Sequence, residues 1–269
     1  MAESLKNYIN DLTAMTAEKE RIGAELNVAT QIQADMLPRI FPPYPERTDL
    51  DIRATMTPAK EVGGDFYDFF LVDDDHIALV MADVSGKGVP AALFMVIAKT
   101  LIKTRTQMGG SPSEILADVN NQLCEGNEAG LFVTVWLGII ELSTGKGIAA
   151  NAGHEHPALR RGDGSFEMIK YRHSPALATI EGIPFKEHDF ELSPGDTLFV
   201  YTDGVPEATN AESVLFGEER MLDALNSKAH GTPDEILQAV KDGIDGFVAG
   251  AEQFDDITML CFDYYGKKE

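Results

Sequence analysis

Five aspartates stand where an apolar run meets a tight turn. Asp83 closes "HIALVMADV" ahead of Ser-Gly-Lys-Gly, and Asp203 follows "LFVYT" just before a glycine. Asp65 follows Gly63-Gly64 and opens "DFYDFF", while Asp255 and Asp256 open "DDITML". A carboxylate at the buried end of a strand is costly if it stays charged and unpaired. Capping the following turn accounts for one such residue. Recurrence in four places points to a converging cluster. Oxygen ligands without supporting cysteine suit Mg2+ or Mn2+ rather than zinc. The two cysteines, Cys124 and Cys261, are far apart, with no histidine at zinc-site spacing, and read as free thiols.

The Gly86-Lys87-Gly88 turn raises a competing chemistry, nucleotide binding. A phosphate-cradling loop of the Walker type needs Gly, four residues, then Gly-Lys-Ser or Gly-Lys-Thr. Here Lys87 is followed by Gly88, and no glycine sits at the earlier position. The dinucleotide fingerprint fails as well. Lys87 is therefore read as a surface charge, and Asp83 as the residue that carries the chemistry.

The rest of the composition narrows the class. The chain has 269 residues, enough for one good-sized domain with an appendage. Its formal net charge of -22 repels nucleic acid and anionic lipid, so no nucleic-acid partner is expected. An acidic protein that handles a phosphorylated substrate needs bound cations to invert the local charge. No apolar run approaches the ~18 residues of a membrane span, and no signal-peptide pattern appears, so a cytoplasmic segment with no membrane contact is the expectation.

Several elements must position the aspartates. Residues 5 to 37 read as one helix, in which Leu5, Tyr8, Leu12, Met15, Lys19, Ile22, Leu26, Ala29, Gln33 and Met36 step by three and four alternately. That is coiled-coil periodicity. The alternative is a long amphipathic helix lying on its own domain. "PRIFPPYPER" then forms an extended connector. Beyond it lie ten short strand-like runs, from "DIRATMTP" to "DITMLCFDY", rich in β-branched and aromatic residues. Helices are expected at 90–107, 112–126, 217–228 and 233–248. Clustered strands with paired helices argue α+β, a mostly antiparallel sandwich with helix pairs outside. The expected domains are 1–40, a signalling or linker helix, and 41–269.

The set "VGGDFYDFF", "ADVSGKGVPAALFM", "NAGHEHP", "LFVYTDGVPEATN", "LFGEERM" and "DDITML" resembles the metal-dependent (PPM) protein serine/threonine phosphatases, and most of all their bacterial RsbU/SpoIIE-like regulatory branch. The resemblance runs over roughly residues 28 to 264. It implies an αββα sandwich and two Mn2+ or Mg2+ ions. It also implies hydrolysis of phosphoserine or phosphothreonine by a water that the two metals activate. Asp83 matches the carboxylate that bridges the two metals, and the carbonyl of Val84 matches the backbone oxygen on the second. Asp203 and Asp255 match the other ligands of the first metal, Asp65 matches the carboxylate that holds water at the second, and Asp256 is placed just behind the ligands.

Two positions depart from the animal enzymes. Their phosphate-binding Arg falls at Lys60, which lacks the bidentate fork of a guanidinium. Their proposed general-acid His falls at Ser85, and His154 in "NAGHEHP" is the candidate substitute. The resemblance further implies a phosphoprotein substrate, a STAS-type antagonist of an anti-sigma factor, and an upstream sensor domain or activator. A homodimer through residues 5–36 is expected to carry the signal. The alternatives are a catalytically weak partner-binding module and, from the likeness of "VGGDFYDF" to a Gly-Gly-Asp-Glu-Phe signature, a diguanylate cyclase. Phe66 stands where that signature needs Glu.

Overall fold

The computed structural model describes residues 2–267. The side chains of residues 2–5 and of Ile9, with Leu5 of the heptad seam among them, lie outside the described residues. The chain divides into two compact units, Met1–Met36 and Leu37–Glu269.

The first unit is a helix, α1 (Ala2–Met36). Arg21 bridges Glu18 at 2.6 Å and Glu25 at 2.7 Å along its surface, pairs at helical spacing that add modest local support. Tyr8, Leu12, Met15 and Ile22, all positions of the expected seam, are exposed on it.

Among its described residues the second unit holds ten strands in two antiparallel sheets, as the sequence pattern predicts. One sheet runs β1 (Leu50–Thr57), β10 (Ile257–Tyr264), β9 (Asp196–Tyr201), β6 (Ala158–Arg160) and β7 (Phe166–Met168). The other runs β2 (Phe66–Leu71), β3 (His76–Val84), β4 (Val133–Glu141), β5 (Lys146–Ala152) and β8 (Glu187–Glu191). The helix pair α2 (Val89–Gln107) and α3 (Pro112–Cys124) covers the second sheet, and α4 (Gly217–Ser227) with α5 (Pro233–Val248) covers the first. The result is an α+β fold of αββα layers.

Strand alternation builds two cores. Leu198, Val200, Leu260 and Phe262 point into the core between the sheets. Their neighbours Phe199, Tyr201, Met259 and Cys261 point the other way, against Met221, Leu225, Ile236 and Val240 of α4 and α5. With both faces covered, β9 and β10 are buried throughout, which is why they read as unbroken apolar runs.

Helix starts follow local chemistry. Ser111 with Glu114, and Thr232 with Glu235, form capping boxes at α3 and α5, each followed by a proline in the first turn. α3 stops two residues short of the expected 126, because Glu125 takes an extended conformation before Gly126 at φ +72°. Among the described residues no helix is long and apolar enough to cross a membrane.

Candidate metal centre

The aspartates gather because both sheets end at the same place. In the first sheet the ends of β1 and β9 flank the start of β10, with Thr57 paired to Ile257 and Tyr201 to Met259. In the second, the starts of β2 and β4 flank the end of β3, with Phe66 paired to Ala82 and Asp83 to Thr134. Two side chains, Thr202 and Asp256, join these ends across the sandwich. The Thr202 hydroxyl, just past β9, donates to Asp65 Oδ2 at 2.7 Å. Asp256, just before β10, accepts from Ala59 N at 2.8 Å, from Gly64 N at 2.9 Å and from Asp65 N at 3.4 Å. Asp256 therefore holds the β1–β2 loop in place.

The glycine pair makes this approach possible. A Cβ on Gly63 would lie 2.0 Å from Asp256 Oδ2, and one on Gly64 would lie 2.6 Å from the Val84 carbonyl oxygen. Neither position has room for a side chain, so the backbone closes on the carboxylate and on the Val84 carbonyl.

Charge in this place is heavily penalised. Asp65 is buried, and its carboxyl is held well above the usual range, first by burial and then by Asp83 and Asp256; the hydroxyls of Thr258 and Thr202 oppose the rise. Asp83 is pushed up to about 7, again by burial first and then by the charge of Asp203, with a hydrogen bond from Asp65 pulling the other way. Asp203 is pushed up to about 6 by burial, Glu207 and Asp255; the Gly204 amide and Lys87 offset part of this. Like charges crowded in low dielectric disfavour ionisation until a cation joins them. Among the described residues no group of three or more such side chains is arranged so that it could hold a metal ion as it stands. Asp65 accepts from the Thr202 hydroxyl, Asp256 from backbone amides, and Asp255 faces an ammonium.

Lys87 is one of those donors, which corrects its reading as a surface charge. Its Nζ lies 3.1 Å from Asp255 Oδ2, bonds the Phe254 carbonyl and sits 3.7 Å from the centre of the Phe254 ring. One positive charge thus already stands against the cluster where the donor set is all oxygen. The carboxylates and the Val84 carbonyl are oxygen donors, the type that suits hard divalent cations.

His154 is placed differently from the expectation of a general acid. It is buried, with Nε2 3.0 Å from the Tyr201 carbonyl and Nδ1 2.8 Å from Thr134 Oγ1. A carbonyl only accepts, so Nε2 carries the proton and Nδ1 accepts from the hydroxyl. Burial lowers its pKa to about 3, against a smaller opposing effect of the Tyr201 bond. With both nitrogens used and the ring neutral, His154 braces β4 against β9 and has no proton free for a leaving group. Ser85 is also engaged, accepting from Phe132 N at 2.9 Å. Lys60 lies exposed in the β1–β2 loop and makes no ion pair among the described residues.

Thr202 and Lys87 are the site residues that sequence reasoning missed. A polar residue closing the apolar run "LFVYT" was the available signal for Thr202. Nothing local signals the pairing of Lys87 with Asp255.

Comparison with known proteins gives a consistent picture. The chain is 30% identical over 285 residues to Protein IcfG of Synechocystis, an alignment covering 96% of this chain but 44% of that protein. It is 29% identical over 229 residues to the phosphoserine phosphatase RsbU of Bacillus subtilis, covering 82% of this chain and 67% of RsbU. Its fold matches the SiaA-PP2C domain of Pseudomonas aeruginosa with a TM-score of 0.80 at 24% identity, over 92% of this chain and 99% of that one. The chain thus spans less than half of the first relative's length. The family model for Stage II sporulation protein E (SpoIIE) matches residues 73–265, a span that contains Asp83, Val84, Asp203, Asp255 and Asp256 and leaves Asp65 just outside. With most of the chain inside that match and the two-sheet PP2C-like fold around it, this protein belongs to the SpoIIE family, the RsbU/SpoIIE branch of the PPM phosphatases.

Proposed function

We propose that the chain is a metal-dependent phosphatase acting on phosphoserine or phosphothreonine in a regulatory protein. The observation that carries this reading is the convergence of Asp65, Asp83 and Asp203 at one end of the sandwich, each destabilised as an anion by burial and by its neighbours. Such a cluster is poised to take up positive charge. In this reading Asp83, Asp203, Asp255, Asp65 and the Val84 carbonyl are the residues that would hold the cations, with Asp83 the central one. Mn2+ or Mg2+ ions, when bound there, supply charge to the phosphoryl oxygens and lower the pKa of water.

The chain's own residues do the remainder. Asp256 keeps the β1–β2 loop closed, Thr202 orients Asp65, and the glycine pair lets the backbone approach. Lys60, on that same loop, is the proposed phosphate contact. No cysteine or serine takes part as a nucleophile in this scheme; water attacks phosphorus in line with the serine oxygen, which leaves with a proton from solvent.

The substrate proposed is a phosphorylated STAS-type antagonist in a cytoplasmic partner-switching circuit, under an upstream sensor or activator. Residues 1–40 act as a signalling helix and 41–269 as the phosphatase domain. A parallel homodimer through residues 5–36 transmits the signal. The heptad seam supports that reading, since its exposed apolar residues are most readily buried against a second copy. The test of the activity is phosphate release from a phosphoserine protein with Mn2+ present, abolished by chelation and restored by fresh Mn2+. Release that persists in chelator contradicts it.

A further inference from the structure

A cavity of about 310 Å3 opens directly beside the carboxylate cluster. It lies between the turn after β9, the last turn of α5 and the loop that leads into β10, and both Gly204 and Asp255 line it. Its size is at the small end for ligand pockets, suited to one or two side chains rather than to a cofactor.

The lining has two chemistries. Ile244, Val248 and Ile257 give it an apolar wall. Glu207 and Glu252, both exposed, stand on its rim and make no ion pair among the described residues. Asp245 on the same rim is already paired with Lys241. Phe254 is 72% exposed at the mouth, although Lys87 sits over its ring. A large exposed aromatic beside an apolar wall gains by covering. Gln253 pins this loop, donating to the carbonyls of Thr57 and Asp255 at 2.8 Å each, so the wall is built before anything binds.

We propose that this groove is where the polypeptide flanking the phosphoserine docks, and that it selects an apolar side chain accompanied by a Lys or Arg. The inference rests on the phosphatase reading for its occupant. A chain with its phosphate at the aspartates has to leave the cluster along a surface, and this cavity shares Gly204 and Asp255 with it. Unpaired Glu207 and Glu252 repel an acidic segment and attract a cationic one. The same acidic rim repels the phosphate itself, so the phosphorylated residue is kept out of the groove and only its flanking residues enter.

The experiment uses two peptides that differ only in a Lys or a Glu a few residues from the target serine, each with a neighbouring Leu. Affinities for the full chain are read by fluorescence anisotropy with the unphosphorylated forms, so that no turnover intervenes. The Lys peptide should bind about fivefold tighter, the scale of one or two exposed ion pairs, and the difference should shrink as salt rises. The double variant Glu207→Lys, Glu252→Lys should reverse the preference. Equal affinities in the unaltered chain, or a preference that the double variant leaves unmoved, overturn the groove. Phosphate release from the phosphoserine forms is measured alongside. Its absence with the Lys preference intact overturns the phosphatase reading and leaves the groove standing.

Discussion

The Thr202 hydroxyl donates to Asp65 Oδ2 at 2.7 Å and so ties the end of β9 to the start of β2 across the sandwich. The same oxygen accepts from Thr258 N at 3.2 Å, so one side chain serves both sheets. Thr202→Val keeps the shape and removes both bonds. It should cost about 1–3 kcal/mol of stability, the usual penalty for leaving a buried group unsatisfied. Urea denaturation reads the loss, and calorimetric titration with Mn2+ should show weaker binding as Asp65 loses its orientation. Unchanged Mn2+ affinity would separate Thr202 from the cluster.

If Asp255 is one of the residues that hold a cation, as proposed, Lys87 competes with that ion for it. Removing the ammonium with Lys87→Met should therefore raise Mn2+ affinity by about threefold, a modest effect because the pair is partly exposed. The same variant should lower stability in chelator, where Asp203 and Asp255 lose their nearest cation. Weaker Mn2+ binding in Lys87→Met would show that Lys87 supports the site instead.

His154 sets a pH dependence. Its folded pKa of about 3 lies below the ordinary 6.5. Between those values the unfolded chain takes up a proton that the folded chain refuses. The stability that neutral His154 contributes is thus present above about pH 6.5 and falls as the pH drops towards 3. From pH 7 to pH 5 the loss attributable to this residue is about 2 kcal/mol. His154→Gln should flatten the dependence by that amount in urea titrations at the two pH values. Equal slopes in both proteins would contradict the buried neutral ring.

What was legible in the sequence follows from locality. Asp83 and Asp203 are conspicuous because a carboxylate interrupts an apolar run, and that signal needs no partner. Strands β9 and β10 were readable for a related reason, since both are buried throughout and read as unbroken apolar runs. Partners were not readable. The sequence shows that His154 exists but not that Thr134 and Tyr201 occupy both its nitrogens. It shows Lys87 among glycines but not that sheet packing brings Asp255 within 3.1 Å. Such pairings arise only when distant segments pack.

Tyr8, Leu12, Met15 and Ile22 are exposed along the expected seam. Sedimentation of the full chain at micromolar concentration should give a dimer, and a chain starting near Asp49 should give a monomer. Leu12→Glu should dissociate the dimer and change phosphatase activity. A monomeric full chain would contradict the dimer.

The clustered aspartates are proposed to hold the cations that support phosphate-ester hydrolysis, with Asp83 at their centre. The most direct measurement is the Mn2+-dependent rate of phosphate release from a phosphoserine peptide by the unaltered chain and by Asp83→Asn, with Mn2+ affinity titrated in both. Metal-dependent release is expected in the first, and in the second both weakened Mn2+ binding and a loss of rate of at least about a hundredfold, the scale of removing one preorganised electrostatic group. Near-normal metal-dependent release by Asp83→Asn would contradict it.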